Sequence, residues 1–214
     1  IIGKKIDMTQ VWQGEKVIAV TKVQAGPCPV VQLKTVAQDG YSAVQLGYGQ
    51  RKEKNVKKPQ AGHLKKISNF QFPISKNKNI KCLREFRCDA EGLKLGDAVD
   101  VTTFEVGDTV KVTGTSKGKG FQGGVRRHGW HGHNTTHGTK DQVRTSGSIG
   151  AGGPQHVFKG LRMPGRMGNA RATASNLKIV QIDQENNILY ISGAVPGARN
   201  GLVMIYGDGD LKTV

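Results

Sequence analysis

From Gly114 to about Ala174 the chain holds too few large apolar residues to build a core, and this stretch constrains the fold more than any other. Glycine fills fifteen of its positions, and between Asp108 and Asp183 the sole carboxylate is Asp141. Against it stand Lys111, Lys117, Lys119, Arg126, Arg127, Lys140, Arg144, Lys159, Arg162, Arg166, Arg171 and Lys178. A coreless segment this long inside a compact protein is either disordered or shaped by what it binds. The chemistry favours a bound polyanion. Glycine lets the backbone approach a ligand closely, Lys and Arg neutralise phosphates, and the lack of carboxylates avoids repulsion. A plain flexible tether would carry serine and glutamate, with fewer evenly spaced cations.

The rest of the composition points the same way. Lys and Arg total 32 against 16 Asp and Glu in 214 residues, a formal charge of +16 that calls for nucleic acid as partner. A membrane is a poor alternative, because no run approaches the roughly 18 apolar residues of a spanning helix and the basic segment lacks a hydrophobic face. Cys28, Cys82 and Cys88 form neither an even disulfide framework nor a zinc-site spacing, so reduced thiols in a cytosolic protein are expected. The first residues show no charged lead before an apolar run, so no signal peptide is expected and the cytoplasm is the expected location.

Either side of the glycine-rich stretch the sequence reads as strands. Val17–Val23, Val30–Val36 and Ala43–Tyr48 are rich in β-branched residues and are punctuated by Gly26-Pro27 and Asp39-Gly40. In the second of these, Val31, Leu33 and Thr35 are expected on one half-buried face, with Gln32 and Lys34 on the other. Further strands are expected at Ala98–Thr103, Thr109–Thr113, Leu177–Asp183, Ile188–Ser192 and Leu202–Tyr206, with Glu185-Asn186-Asn187 as a hairpin turn. Many short strands imply a mainly β chain closed, or nearly closed, into a barrel. Residues 1–49, 94–116 and 175–214 would form it, and residues 117–174 would be the irregular extension. A basic, partly helical insertion, residues 50–93, would interrupt the barrel. It opens with Arg51, Lys52, Lys54, Lys57 and Lys58 before Pro59, and Leu64, Ile67 and Phe70 would share a helical face.

Three constellations could carry other chemistry. Gly118-Lys119-Gly120-Phe121-Gln122-Gly123 has the spacing of a dinucleotide-binding loop, but Gly124, Val125, Arg126, Arg127 and His128 open no apolar helix and no strand–helix alternation follows. The same glycines fail as a Walker-type loop, because Gly120 stands where Ser or Thr is required. His128, His131, His133 and His137 crowd around Trp130, yet only Asp141 is near enough to complete a metal site, and stacking on bases or bonding to phosphate suits them better. No Ser or Cys nucleophile pairs with a base, and no carboxylate pair stands out, so an enzyme is not expected.

Four stretches resemble one known family. They are Val112-Thr113-Gly114-Thr115-Ser116-Lys117-Gly118-Lys119-Gly120-Phe121, Gly147-Ser148-Ile149-Gly150, the run from Val157 to Asn169, and Gly193-Ala194-Val195-Pro196-Gly197. In this order they resemble the universal third protein of the large ribosomal subunit in its bacterial form. The opening Gly3-Lys4-Lys5-Ile6-Asp7-Met8-Thr9 is also similar, with Asp7 where that family carries glycine. The resemblance implies a six-stranded barrel like that of translation factors, with a small helical insertion and a long RNA-penetrating extension. It implies that Ser148, Ile149, Gly150, Ala151, Gly152, Gly153, Pro154, Gln155 and His156 form a tip near the peptidyl transferase centre. It also implies an early part in subunit assembly beside neighbouring ribosomal proteins. Ala151 replaces a glutamine that many bacterial relatives can carry methylated, so that modification is not expected.

The RNA contacts expected from both lines of reasoning are Arg51, Lys52, Lys54, Lys57, Lys58, Lys117, Lys119, Arg126, Arg127, His128, Trp130, His131, His133, His137, Lys140, Arg144, Lys159, Arg162, Arg166 and Arg171. No cofactor, metal, membrane or small-molecule substrate is expected; the partners are large-subunit ribosomal RNA and ribosomal proteins. Two rivals stay open: a histidine-cluster metalloenzyme acting on nucleic acid, and a translation or assembly factor that binds the ribosome transiently.

Overall fold

A computed structural model describes residues 1–65, 78–88 and 92–207, and the chain is mainly β. In chain order the strands are β1 (Ile2–Gln13), β2 (Lys16–Ala25), β3 (Cys28–Lys34), β4 (Ala43–Lys52), β5 (Lys78–Phe86), β6 (Ala98–Val99) and β7 (Thr109–Thr115). They continue as β8 (Gly120–Gln122), β9 (Gly165–Met167), β10 (Arg171–Asp183), β11 (Ile188–Ser192) and β12 (Leu202–Gly207). The helices are short: α1 (Val36–Asp39), α2 (Lys58–Lys65) and α3 (Gly124–His128). Two compact units result, one of Ile1–Thr115 with the chain from Arg171 onward, the other of Ser116–Ala170.

In the first unit six antiparallel strands pair in the order β1-β12-β7-β10-β11-β2, and β2 returns to β1 to close the ring. The two-residue period of a strand explains the filling. On β7, Val110 and Val112 are buried while Thr109 and Lys111 are exposed; Leu189 and Ile191 on β11, and Val203 and Ile205 on β12, repeat the pattern. Each such side chain contributes about 1.5–3 kcal/mol by leaving water. A second sheet, ordered β5-β4-β3-β6, lends Val30, Val44, Leu46, Phe86 and Val99 to the same core.

Several expectations are corrected. β3 is buried on both faces, not one: Val30 joins the main core while Val31 packs with Leu64 of α2 and Ile80 of β5. A register slip between Val30 and Gln32 goes with this, and Thr35 is exposed as the residue capping α1. Val36 therefore lies in a helical turn, not in a strand. The strand expected at Ala98–Thr103 stops at Val99, because Asp100 accepts from the Thr102 amide at 2.8 Å and starts a 3-10 turn, Val101–Thr103. The basic insertion is partly sheet: β4 runs on through Arg51 and Lys52, and β5 pairs along it to Asn79 and Lys78. Leu64 is buried as the helical face required, whereas Ile67 and Phe70 lie outside the described residues. β10 begins at Arg171, so Arg171–Ala174 pair with β7 instead of belonging to the irregular segment.

The sequence pattern also hid β1, whose polar run contains a register slip between Lys5 and Met8. Asp7 sits in that slip, and its Oδ1 is buried without a hydrogen-bond partner among the described residues. At the edge of the second sheet Lys34 donates to the Tyr41 hydroxyl at 2.7 Å and meets Glu85 at 3.0 Å. The Lys34 ammonium holds the Glu85 carboxyl below its ordinary range, helped by the Tyr41 hydroxyl and the Gln45 amide. This network ties β3, β4 and β5 together.

Candidate nucleic-acid interface

The unit Ser116–Ala170 is built almost without burial. Only Gly124 is buried, and it is so because the Trp130 ring lies on its backbone; a Cβ there would overlap the ring. What order exists comes from backbone and polar contacts. β8 pairs with β9 in the register Gly120↔Met167, Phe121↔Arg166 and Gln122↔Gly165. The two ends of the unit are joined by the Ser116 amide donating to the Ala170 carbonyl at 2.9 Å, and by the Lys119 amide to Met167 at 3.0 Å. α3 follows at once. Its Arg127 guanidinium donates to the Met163 carbonyl at 2.6 Å, and the His128 ring meets the same oxygen at 3.0 Å. The His128 and Trp130 rings lie 5.7 Å apart, tilted by 32°. The His133 amide reaches the Val143 carbonyl at 2.9 Å and pinches the loop between them.

The cations face outward. Lys117, Lys119, Arg126, Arg127, Lys140, Arg144, Lys159, Arg162 and Arg166 are all exposed, and among the described residues none is paired with a carboxylate. Nine cations and one carboxylate, Asp141, give this unit a strongly positive surface. Such a surface attracts a polyanion and repels other basic chains. His131, His133 and His137 are exposed in irregular backbone, and the segment from Ser148 to His156 is exposed throughout. Arg171 is exposed at the start of β10, opposite Thr115. In the first unit Arg51 and Lys52 end β4, Lys54 sits in a 3-10 turn (Glu53–Asn55), and Lys57 and Lys58 lead into α2; all five are exposed.

Among the described residues no group of three or more His, Cys, Asp or Glu side chains could hold a metal ion. The glycine-spaced loop runs through a two-stranded antiparallel ribbon and opens a helix of five residues, which is no dinucleotide fold. Among the described residues no helix is long and apolar enough to cross a membrane. Cys28, Cys82 and Cys88 form no disulfide with one another.

The sequence comparisons agree with this geometry. The sequence model of the family described as Ribosomal protein L3 matches residues 94–187, the stretch that carries β7, the basic unit and β10. The large ribosomal subunit protein uL3 of Herpetosiphon aurantiacus is 47% identical over 209 residues, covering 96% of this chain and 94% of that protein. This chain belongs to the ribosomal protein L3 family. The uL3 proteins of Carboxydothermus hydrogenoformans, 46% identical over 96% of the chain and 95% of the relative, and of Salinispora arenicola, 45% identical over 96% and 91%, are similarly close. Membership makes the chain a ribosomal structural protein and not an enzyme, and neither rival reading finds support. In this L3-family chain the sequence reading overlooked the exposed hydrophobes of the basic unit, Phe121, Phe158 and Leu161. Large hydrophobes inside a coreless segment were the available signal, since they have nothing of their own to bury against.

Proposed function

We propose that this L3-family protein is a structural constituent of the large ribosomal subunit that holds folded ribosomal RNA at fixed separation by replacing counterions inside it. The observation that carries the reading is the unit Ser116–Ala170, with nine cations, one carboxylate and a single buried residue. Outside the β8–β9 ribbon such a segment gains its stable shape from the anion around it, and phosphate contacts supply most of its affinity. The first unit, a barrel of the translation-factor kind, sits on the subunit surface in cytoplasmic ribosomes beside other ribosomal proteins. The exposed segment Ser148–His156 reaches toward the peptidyl transferase region. The basic residues named above, those of β4 and α2 included, are the RNA contacts, and membership of the family implies docking early in assembly. Specificity comes from RNA shape and a few stacked positions, because A-form grooves hide base edges.

Two measurements test this. Tagged protein in a cell lysate should sediment with large subunits and stay bound through a high-salt wash; release into the soluble fraction would contradict a structural role. Changing Lys140 and Arg144 together to alanine should lower the slope of log affinity against log salt, on large-subunit ribosomal RNA, by about 1.4–1.8. An unchanged slope would remove both from the interface. Arg127 is a poorer choice for that test, because its guanidinium is engaged with Met163.

A further inference from the structure

We infer that the β8–β9 ribbon is a nucleotide clamp, in which Phe121 stacks on an unpaired base and Arg166 holds the phosphate beside it. The inference rests on the RNA-binding reading above and deepens it. Phe121 is 76% exposed, more than any other large hydrophobe of the described residues. It stands directly opposite Arg166 in the antiparallel register, so both side chains leave the same face of the ribbon. Arg166 is exposed as well.

The ribbon is held by its neighbours. Arg127 and His128 of α3 both grip the Met163 carbonyl just before β9, and the Lys119 amide binds the Met167 carbonyl. Gly168, at φ 73°, lies so close to the Lys117 carbonyl that a side chain there would collide with it. The aromatic ring is therefore presented to solvent by a backbone that has little freedom left to lose on binding.

The charge beside the ring selects its occupant. An apolar protein surface laid over Phe121 would also cover Arg166 and leave a buried cation unpaired, which is strongly unfavourable. A nucleotide satisfies both groups at once, its base against the ring and its phosphate against the guanidinium. Because every base has a π face, the clamp accepts any unpaired base and demands only that one be flipped out beside the ribbon.

Full-length protein titrated against large-subunit ribosomal RNA transcribed in vitro, over a range of salt, tests the clamp. Phe121→Ala should weaken binding about tenfold or more at every salt concentration, with the salt slope unchanged, since a stacked ring carries no charge. Phe121→Trp should bind as the wild type does, and Phe121→Leu nearly as poorly as the alanine variant, because leucine is apolar but cannot stack. Arg166→Ala should instead lower the slope by about 0.7–0.9. Wild-type affinity in Phe121→Ala would overturn the clamp and hand this face to a protein neighbour; wild-type affinity in Phe121→Leu would overturn stacking. In either case an intact wild-type titration leaves the RNA-binding reading standing. A wild-type protein that does not bind the transcript overturns both.

Discussion

Cys28 lies in the core with no exposed surface, and its thiol donates to the Ile2 carbonyl at 3.3 Å. Burial pushes the thiol up from 9.0 to about 11, because a thiolate there would have no water around it. A pKa raised in the folded state gives stability that is complete below pH 9 and is lost as pH rises through 11. The stability lost amounts to about 3 kcal/mol. Urea midpoints should therefore fall between pH 9 and 11, and Cys28→Ser, lacking that thiol, should show a shallower fall. Under native conditions a thiol reagent should label the partly exposed Cys82 and Cys88 first, and reach Cys28 only through unfolding. Labelling of all three at one rate would contradict the burial. Single residues also separate two kinds of cation that look alike in the sequence. Lys140 and Arg144 are free to meet phosphate, whereas Arg127 fastens α3 to the strand before which Met163 lies.

The turn between β10 and β11 was legible because its chemistry is local. Asp183 accepts from the Asn186 amide at 3.1 Å and from its side chain at 2.9 Å, which holds the Asp183 carboxyl below its ordinary range. Asn187 then closes the turn at φ 54°, a left-handed conformation that asparagine tolerates. Asn187→Ala should lower stability by about 1 kcal/mol and Asn187→Gly should not, as thermal melts would show. A harmless alanine would mean that the strands alone set the turn. β11 and β7 were legible for a similar reason, since Leu189 and Ile191 in the one and Val110 and Val112 in the other are buried at every second position with a less buried residue between them. β1 and β5 were not, because Lys4, Lys5, Asp7 and Gln10 in the one and Lys78, Lys81 and Arg84 in the other mask the alternation with polar residues. The second burial of β3 was invisible for another reason: Val31 is covered by Leu64 and Ile80, residues far along the chain that local periodicity cannot foresee. In the basic unit the cations and glycines were evident, but the pairing of Phe121 with Arg166 depends on β9, more than forty residues away.

At the scale of the whole molecule, the core and the proposed RNA-binding segment occupy separable stretches of chain. The core of the first unit draws on strands from both sides of the basic unit, and β7 and β10 are in register up to Thr115 opposite Arg171. Those two residues stand where a two-residue hairpin turn could join them. Replacing Ser116–Ala170 by Asn-Gly should thus leave the first unit folded, with a melting temperature within a few degrees of the intact chain. The same change removes nine cations, and if all of them contact phosphate the salt slope should fall by roughly 6–8. A truncated chain that fails to fold would mean that the basic unit supports the core, against its single buried residue. A truncated chain that folds and keeps its full salt slope would move the RNA contacts to the first unit, where Arg51, Lys52, Lys54, Lys57 and Lys58 are exposed. Substituting those five instead should remove at most about 3.5–4.5 from the slope. Comparing the two losses measures how the RNA contacts divide between the basic insertion and the extension.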